Sequence, residues 1–226
     1  NQPSTPEVLE PAVGPVSRKP TLGPHEGRDS VAPSTSNNAT APFATGLGQD
    51  VDQLAAKSPS LQRDLQALDK AKWRYEYGAA GKGSYASRGR SPRIVIDGAL
   101  KSHPQAATQT LAHEVGHATY NYNPDYSSKA AYVNGALADE GAATLNNIKV
   151  QREILANGGP DIGIAGNRAN HAAYNKTYDQ FLKDGNAPAA RENIGKQFGQ
   201  GEITSNTGQP YAEYYGGWYD KAYPRK

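Results

Sequence analysis

Cysteine and methionine are both absent from this sequence of 226 residues. Because the chain has no thiol, it can form neither a disulfide nor a zinc site built from thiolates, although this does not identify its compartment. No segment approaches the ~18 consecutive apolar residues of a membrane-spanning helix. No basic segment followed by an apolar run opens the chain, so we also expect no signal peptide. These absences exclude disulfide-stabilised scaffolds and membrane-spanning proteins.

Neither sign of charge dominates the chain. Its 24 Lys and Arg residues and 22 Asp and Glu residues leave a net charge of +2, and neither sign forms a long run. Proteins that bind nucleic acid usually carry a concentrated basic patch or stripe. We therefore expect no nucleic-acid partner.

Prolines and aromatic residues are unevenly distributed along the chain. The first 45 residues hold eight of the 16 prolines, and Phe43 is their only aromatic residue, whereas all 14 tyrosines follow residue 74. A segment with so few apolar side chains cannot bury enough surface to offset the entropy lost on folding. The composition predicts a disordered Pro/Ser-rich linker over residues 1–45 and a folded domain over residues 46–226. Because the chain begins with Asn1 rather than methionine, we expect it to be part of a longer protein.

The hydrophobic periodicity of the domain predicts mostly helices, with a few short strands. Capping residues, glycines and prolines mark the helix ends. The predicted helices cover residues 51–57, 59–73, 103–121, 127–156 and 168–183, and the predicted strands cover 74–77 and 93–97. A Gly/Ser/Arg-rich loop over residues 81–91 separates the two strands. We predict an α+β, mostly helical domain with a small antiparallel sheet.

The most informative motif is His113-Glu114-Val115-Gly116-His117, which lies in the third predicted helix. Residues four apart share one face of a helix, so both imidazoles can reach one metal ion. Glu114 lies close enough to take a proton from a water molecule that zinc has made more acidic, as that water attacks a carbonyl. The motif predicts zinc ligands at His113 and His117 and a catalytic base at Glu114.

A catalytic zinc site needs a third protein ligand. The metzincin spacing would place a third histidine where Asn123 stands, so we look for a carboxylate on the next helix. Glu140 is the predicted ligand. Asp139 is an alternative, either as the ligand itself or as a partner that orients a ligand histidine. Glu153, almost four turns further along, is a weaker candidate.

Attack on a carbonyl group also needs a hydrogen-bond donor for the developing oxyanion. His171 is the predicted donor, and Tyr174 lies beside it on the same predicted helix. The aromatic segment 211–223 has two interpretations. In the first, the segment lines a substrate cleft, because tyrosine and tryptophan stack on glycans and peptides. In the second, it packs as a lid over the core.

The His-Glu-x-x-His helix, followed by a helix that carries Asp139-Glu140, resembles the gluzincin metallopeptidases over residues 93–156. The resemblance implies a zincin-like fold, with zinc held by both motif histidines and Glu140. It departs from the thermolysin-type pattern Asn-Glu-x-x-x-Asp, because Asp139 precedes Glu140 and Thr144 occupies the final position. The residues that support the ligands are therefore expected to differ from those of that pattern.

A Pro/Ser-rich leader before a compact zincin-like domain also resembles the metallopeptidase toxin domains of bacterial polymorphic toxins and type VI secretion effectors, including VgrG-type spike proteins. This resemblance implies a secreted antibacterial effector that is delivered to the periplasm of a target bacterium. It also implies a protein or cell-wall peptide as substrate, a cognate immunity protein, and a carrier or secretion-spike protein N-terminal to this chain.

Two other functions remain open from the sequence. The first is a zinc peptidase that is not a toxin, such as a housekeeping enzyme or a phage lysis protein. The second is a carbohydrate- or cell-wall-binding module that zinc stabilises. Glu114 favours an enzyme, because a purely structural zinc site does not need a carboxylate beside its ligands.

Overall fold

The computed structural model describes residues 41–204 and 207–224 of the chain. Its helices and strands, in chain order, are α1 (Gln49–Ala56), α2 (Pro59–Lys70), β1 (Arg74–Tyr77), β2 (Tyr85–Ser87), β3 (Arg93–Ile96), α3 (Pro104–Thr119), α4 (Lys129–Ala156), α5 (His171–Asp184), α6 (Ala187–Gly201) and α7 (Tyr211–Ala222). The predicted α+β, mostly helical class is confirmed. None of the helices in these two ranges is long and apolar enough to cross a membrane.

The sheet differs from the prediction. Its strand order is β1-β3-β2, with β1 parallel to β3 and β2 antiparallel to β3. The prediction of an antiparallel sheet rested on β1 and β3. It is wrong for this pair, because the two strands are parallel. The segment predicted as a loop contains β2, so the chain reverses twice between β1 and β3 and the two strands run in the same direction.

Two hydrophobic clusters make up the core. The first lies between α1, α2, α3 and the sheet, and its fully buried members include Leu61, Ile94 and Leu111. The second lies among α4, α5, α6 and α7, and it contains Tyr174, Phe198 and several other aromatic residues. Helix α4 contacts both α3 and α6 extensively. The faces of α3 and α4 that meet are therefore enclosed on both sides by packed elements.

Helix α6 was not predicted from the sequence. Its glycines explain why it was missed and also how closely it packs. Gly195 and Gly199 lower the helical propensity of the segment. In the fold they let α6 lie against α4: a Cβ on Gly195 would stand 2.4 Å from the carbonyl oxygen of Leu137. Gly141 on α4 likewise allows the two helices to approach closely, because a Cβ there would collide with the backbone of Arg191 on α6.

The folded region begins before residue 46. Residues 1–40 of the predicted linker lie outside the described residues, but Thr45 is buried. The Thr45 amide and hydroxyl both donate to Asp52 Oδ1, at 3.1 and 2.6 Å. Phe43 packs edge-on against Tyr75, with ring centroids 6.0 Å apart. Phe43 and Thr45, at the end of the predicted linker, therefore pack on the domain.

Candidate metal centre

Helix α3 carries the two motif histidines on its buried face. Pro104 lies in its first turn, where the missing N–H costs no hydrogen bond. His113 and His117, four residues apart, have ring centroids separated by 5.0 Å and side chains that are almost fully buried. The helix therefore presents both imidazoles to the same side.

Gly116, between the two histidines, brings α4 close to that side. A Cβ at this position would stand 2.5 Å from Ala143 Cα and 3.1 Å from the carbonyl oxygen of Ala142. Asn146 fixes the helix pair by donating from its side-chain nitrogen to the carbonyl oxygen of Ala112 at 2.7 Å. This close packing places Glu140 opposite the histidines.

The three predicted ligand residues meet at one point. Glu140 Oε2 lies 3.5 Å from His113 Nε2 and 3.3 Å from His117 Nε2. One ligand atom from each residue falls within 4.8 Å of the other two. Within the described parts of the chain, His113 Nε2 and Glu140 Oε2 are buried and face each other as an ion pair, but neither atom makes a contact with hydrogen-bond geometry. Buried polar atoms are normally satisfied, so this group of residues could hold a metal ion.

Asp139 supports the cluster rather than joining it. Its Oδ2 forms an ion pair with His117 Nδ1 at 2.9 Å, a contact that does not have hydrogen-bond geometry. Arg88, just after β2, donates to Asp139 Oδ1 at 3.1 Å and also to the carbonyl oxygen of His117. Of the two roles considered for Asp139, its position fits that of a residue that orients a ligand histidine.

Tyr215 supports the other ligand. Its hydroxyl donates to Glu140 Oε1 at 2.6 Å, and both side chains are buried. Oε1 is thereby occupied, and Oε2 is left facing the histidines. Neither Arg88 nor Tyr215 was predicted as part of the site. Arg88 lies in a segment read as a loop, and Tyr215 is one of several tyrosines in an aromatic segment.

Glu114 lies in the same buried region and is only 2% exposed. Burial raises the pKa of its carboxyl group to about 8, and the negative charges of Glu140 and Asp139 act in the same direction. His117 and Arg88 act in the opposite direction but do not cancel the effect of burial. Without a metal ion, Glu114 is therefore predominantly protonated at neutral pH.

The clustered residues carry opposite charges. Burial alone disfavours a protonated His117, but Asp139 and Glu140 outweigh burial and hold the pKa of His117 well above its ordinary value. Burial lowers the pKa of His113. The pKa of Glu140 falls far below its ordinary value, because the histidines outweigh the opposing effect of burial. Glu140 is thus ionised across the physiological range, as a metal ligand must be.

Two predicted residues lie elsewhere. Glu153 accepts hydrogen bonds from the hydroxyls of Ser58 and Ser60, at 2.5 and 2.6 Å, and so secures the start of α2. His171 is the first residue of α5, with its ring 6.5 Å from that of Tyr174. Among the contacts of the described residues, His171 meets none of the three clustered side chains.

The aromatic segment 211–223 consists of α7 and the residue after it, and it belongs mainly to the core. Tyr211 and Tyr215 are buried in the second hydrophobic cluster. Trp218 and Tyr223 are exposed. The inward face of α7 therefore packs over the domain, as one of the two interpretations of this segment expects.

Comparison of the chain with protein-family models, with curated proteins and with solved structures finds no match. The function is therefore inferred from the geometry of the cluster.

Proposed function

We propose that this chain is a zinc-dependent metallopeptidase, with zinc held by His113, His117 and Glu140. One observation carries the proposal. Ligands 2.0–2.1 Å from a tetrahedral zinc ion are about 3.4 Å from one another. The measured distances from Glu140 Oε2 to the two histidine Nε2 atoms are 3.5 and 3.3 Å. The side chains are thus spaced as two edges of a zinc tetrahedron.

The chemistry of the ligand atoms supports zinc over other ions. Two imidazoles and one carboxylate suit a borderline-soft ion, whereas magnesium and calcium prefer oxygen ligands alone. Three protein ligands also leave one position for a water molecule or substrate, as in catalytic zinc sites. When bound, zinc would polarise a carbonyl group and make a water molecule more acidic.

Glu114 is the proposed general base. One of its carboxylate oxygens takes the proton of the attacking water and can return it to the leaving amine as the peptide C–N bond breaks. It must be ionised to do so, and a neighbouring divalent cation lowers the pKa of a buried carboxyl group. A structural zinc site would have no use for this buried carboxylate, which supports an enzyme over a binding module.

The donor for the developing oxyanion is left open by the geometry. The Tyr215 hydroxyl already donates to Glu140. His171 keeps this role as a proposal, which a His171→Ala variant tests: loss of kcat at unchanged zinc affinity supports it, and unchanged kcat rejects it.

The test of the proposed function combines metal analysis with a digestion screen on peptides and peptidoglycan. The purified protein should bind one zinc per chain. Glu114→Gln should keep the fold and the zinc but lose roughly 10²–10⁴-fold in activity, because an amide cannot accept the proton. Glu213→Gln, which changes an exposed glutamate on α7, is the matched control. Failure to bind zinc, or activity in Glu114→Gln within a few-fold of the parent, would reject the proposal.

We further propose that the peptidase is an antibacterial effector that acts in the periplasm on a protein or cell-wall peptide, with an immunity protein and a carrier as partners. The proposal is supported by the resemblance of the Pro/Ser-rich leader and the zincin-like motifs to effector domains. Expression with an added export signal should inhibit growth, whereas expression without it should not. Equal toxicity without export would indicate an intracellular substrate. Toxicity that survives Glu114→Gln would exclude peptidase chemistry as its cause.

A further inference from the structure

Helix α7 reaches the metal centre from a distant part of the sequence. Tyr215 and Glu140 are 75 positions apart, yet their side chains share a buried hydrogen bond of 2.6 Å. Glu140 is the one proposed ligand with two equivalent oxygens, and only Oε2 faces the histidines. The hydrogen bond from Tyr215 holds Oε1 and so sets the rotation of the carboxylate about its terminal bond.

The tyrosine is suited to this task because it stays a donor. Burial and the charge of Glu140 together hold the pKa of Tyr215 well above its ordinary value. A hydrogen bond from a neutral hydroxyl to an ionised carboxylate is stronger than one between neutral groups.

A second path connects α7 to the other side of the cluster. Tyr211, one turn before Tyr215, packs edge-on against Phe198 with ring centroids 4.8 Å apart. Phe198 in turn stacks on the ring of His113, at 6.4 Å between centroids and an interplanar angle of 23°. Helix α7 thus supports one ligand through a hydrogen bond and another through packed rings.

The far end of α7 is held by a contact at the surface. Lys129, the first residue of α4, pairs with Asp220 at 2.6 Å, and both side chains are about half exposed. Ion pairs this exposed contribute little to stability. The buried contacts at Tyr211 and Tyr215 therefore dominate the docking of α7.

We propose that Tyr215 is a positioning residue that couples the docking of α7 to metal binding, so that docked α7 and bound zinc stabilise each other. The inference rests on the proposed zinc site. Such coupling is reciprocal: if docked α7 raises the affinity for zinc by a given factor, bound zinc favours docking of α7 by the same factor. Zinc should therefore order a helix that supplies none of its ligands.

The test compares Tyr215→Phe with Tyr214→Phe. Tyr214 is the preceding residue on α7 and is partly buried in the same cluster. Competition with a chelator should show zinc affinity reduced about 10–100-fold in Tyr215→Phe, which is the usual effect of losing a partner of a ligand. The affinity of Tyr214→Phe should stay within about three-fold of the parent's.

Hydrogen exchange provides a readout that a merely structural tyrosine would not change. Zinc should slow amide exchange in α7 of the parent and of Tyr214→Phe by the coupling factor, and much less in Tyr215→Phe. Helix α2, which supplies neither a proposed ligand nor a side chain bonded to one, is the internal reference. If Tyr215→Phe does not fold, the parent alone decides, through the zinc-dependent exchange of α7 relative to α2.

The outcomes separate the two proposals. If the parent binds zinc but exchange in α7 does not change, or if Tyr215→Phe binds zinc as tightly as the parent, the coupling is rejected and the zinc site stands. If the parent binds no zinc, both proposals fail.

Discussion

Asp139 holds the second histidine of the cluster from behind: its Oδ2 lies 2.9 Å from His117 Nδ1, and its other oxygen accepts a hydrogen bond from Arg88. A carboxylate on Nδ1 directs the free lone pair of the ring to Nε2 and makes it a better ligand. Because Arg88 also donates to the His117 carbonyl oxygen, a single cation ties the carboxylate to the helix that carries the histidine.

We expect Asp139→Ala to weaken zinc binding by about 10–100-fold, because His117 loses the partner that fixes its ring and its protonation. Chelator competition measures the affinity. Asp69→Ala, at an exposed position on α2, is the control. An unchanged affinity in Asp139→Ala would show that Asp139 does not orient the ligand.

The metal-free protein should lose stability, relative to Glu114→Gln, as the pH rises. The pKa of Glu114 is about 8 in the fold, against 4.5 for an unperturbed glutamate. Between these values the folded state holds a proton that the unfolded state releases, so the contribution of this group to stability declines as pH increases and levels off above about pH 8. Glutamine does not titrate.

Melting temperatures in the presence of a chelator at pH 5, 7 and 9 would measure this effect. The Tm of Glu114→Gln minus that of the parent should increase from pH 5 to pH 9. A difference that is independent of pH would mean that the pKa of Glu114 is not raised by folding.

Gly116→Ala should destabilise the domain by about 1–3 kcal/mol, the usual cost of overpacking. The added methyl group would meet backbone atoms of α4, with Ala143 Cα at 2.5 Å, so the helix must shift and carry Glu140 away from the histidines.

Gly217→Ala is the control, because a Cβ there meets nothing within 4 Å. In a helix this change should stabilise by about 0.5–1 kcal/mol. Urea denaturation and zinc affinity would both be measured, and a Gly116→Ala variant as stable as the control would contradict the packing described.

A chain that begins at residue 41 should melt within a few degrees of the full chain, because the composition of residues 1–40 cannot support a core. A chain that begins at residue 46 should be less stable by about 1–2 kcal/mol, since it lacks the Thr45–Asp52 hydrogen bonds and the Phe43–Tyr75 contact. For a domain of this size that corresponds to a fall in Tm of roughly 2–8 °C. Equal melting temperatures of the two shortened chains would support the boundary after residue 45 that the composition predicts.

The sequence alone predicted the parts of the site that depend on local periodicity. A spacing of four residues puts His113 and His117 on one helix face regardless of the rest of the fold. Glu140 followed from the expectation that the next helix packs against the first. Both predictions use signals within about thirty residues of chain.

The missed features depend on contacts between distant segments. Arg88 and Asp139 are 51 positions apart, and nothing in either local sequence indicates the pairing. Helix α6 is hidden by Gly195 and Gly199, whose low helical propensity is overridden by packing against α4. The sheet was mispredicted because β2 has only three residues, too few for a clear alternation of polar and apolar side chains.

All three proposed ligands lie between residues 113 and 140, on helices α3 and α4, which follow each other directly in the chain. Contacts between consecutive helices require little loop closure and therefore form early in folding. The contact of Tyr215 with Glu140 joins residues 75 positions apart, so we expect it to form later. Zinc can thus nucleate the helical hairpin before the rest of the domain assembles, and zinc added during refolding should accelerate folding rather than only slow unfolding. Stopped-flow refolding with and without zinc would measure the difference, which should disappear in His117→Ala.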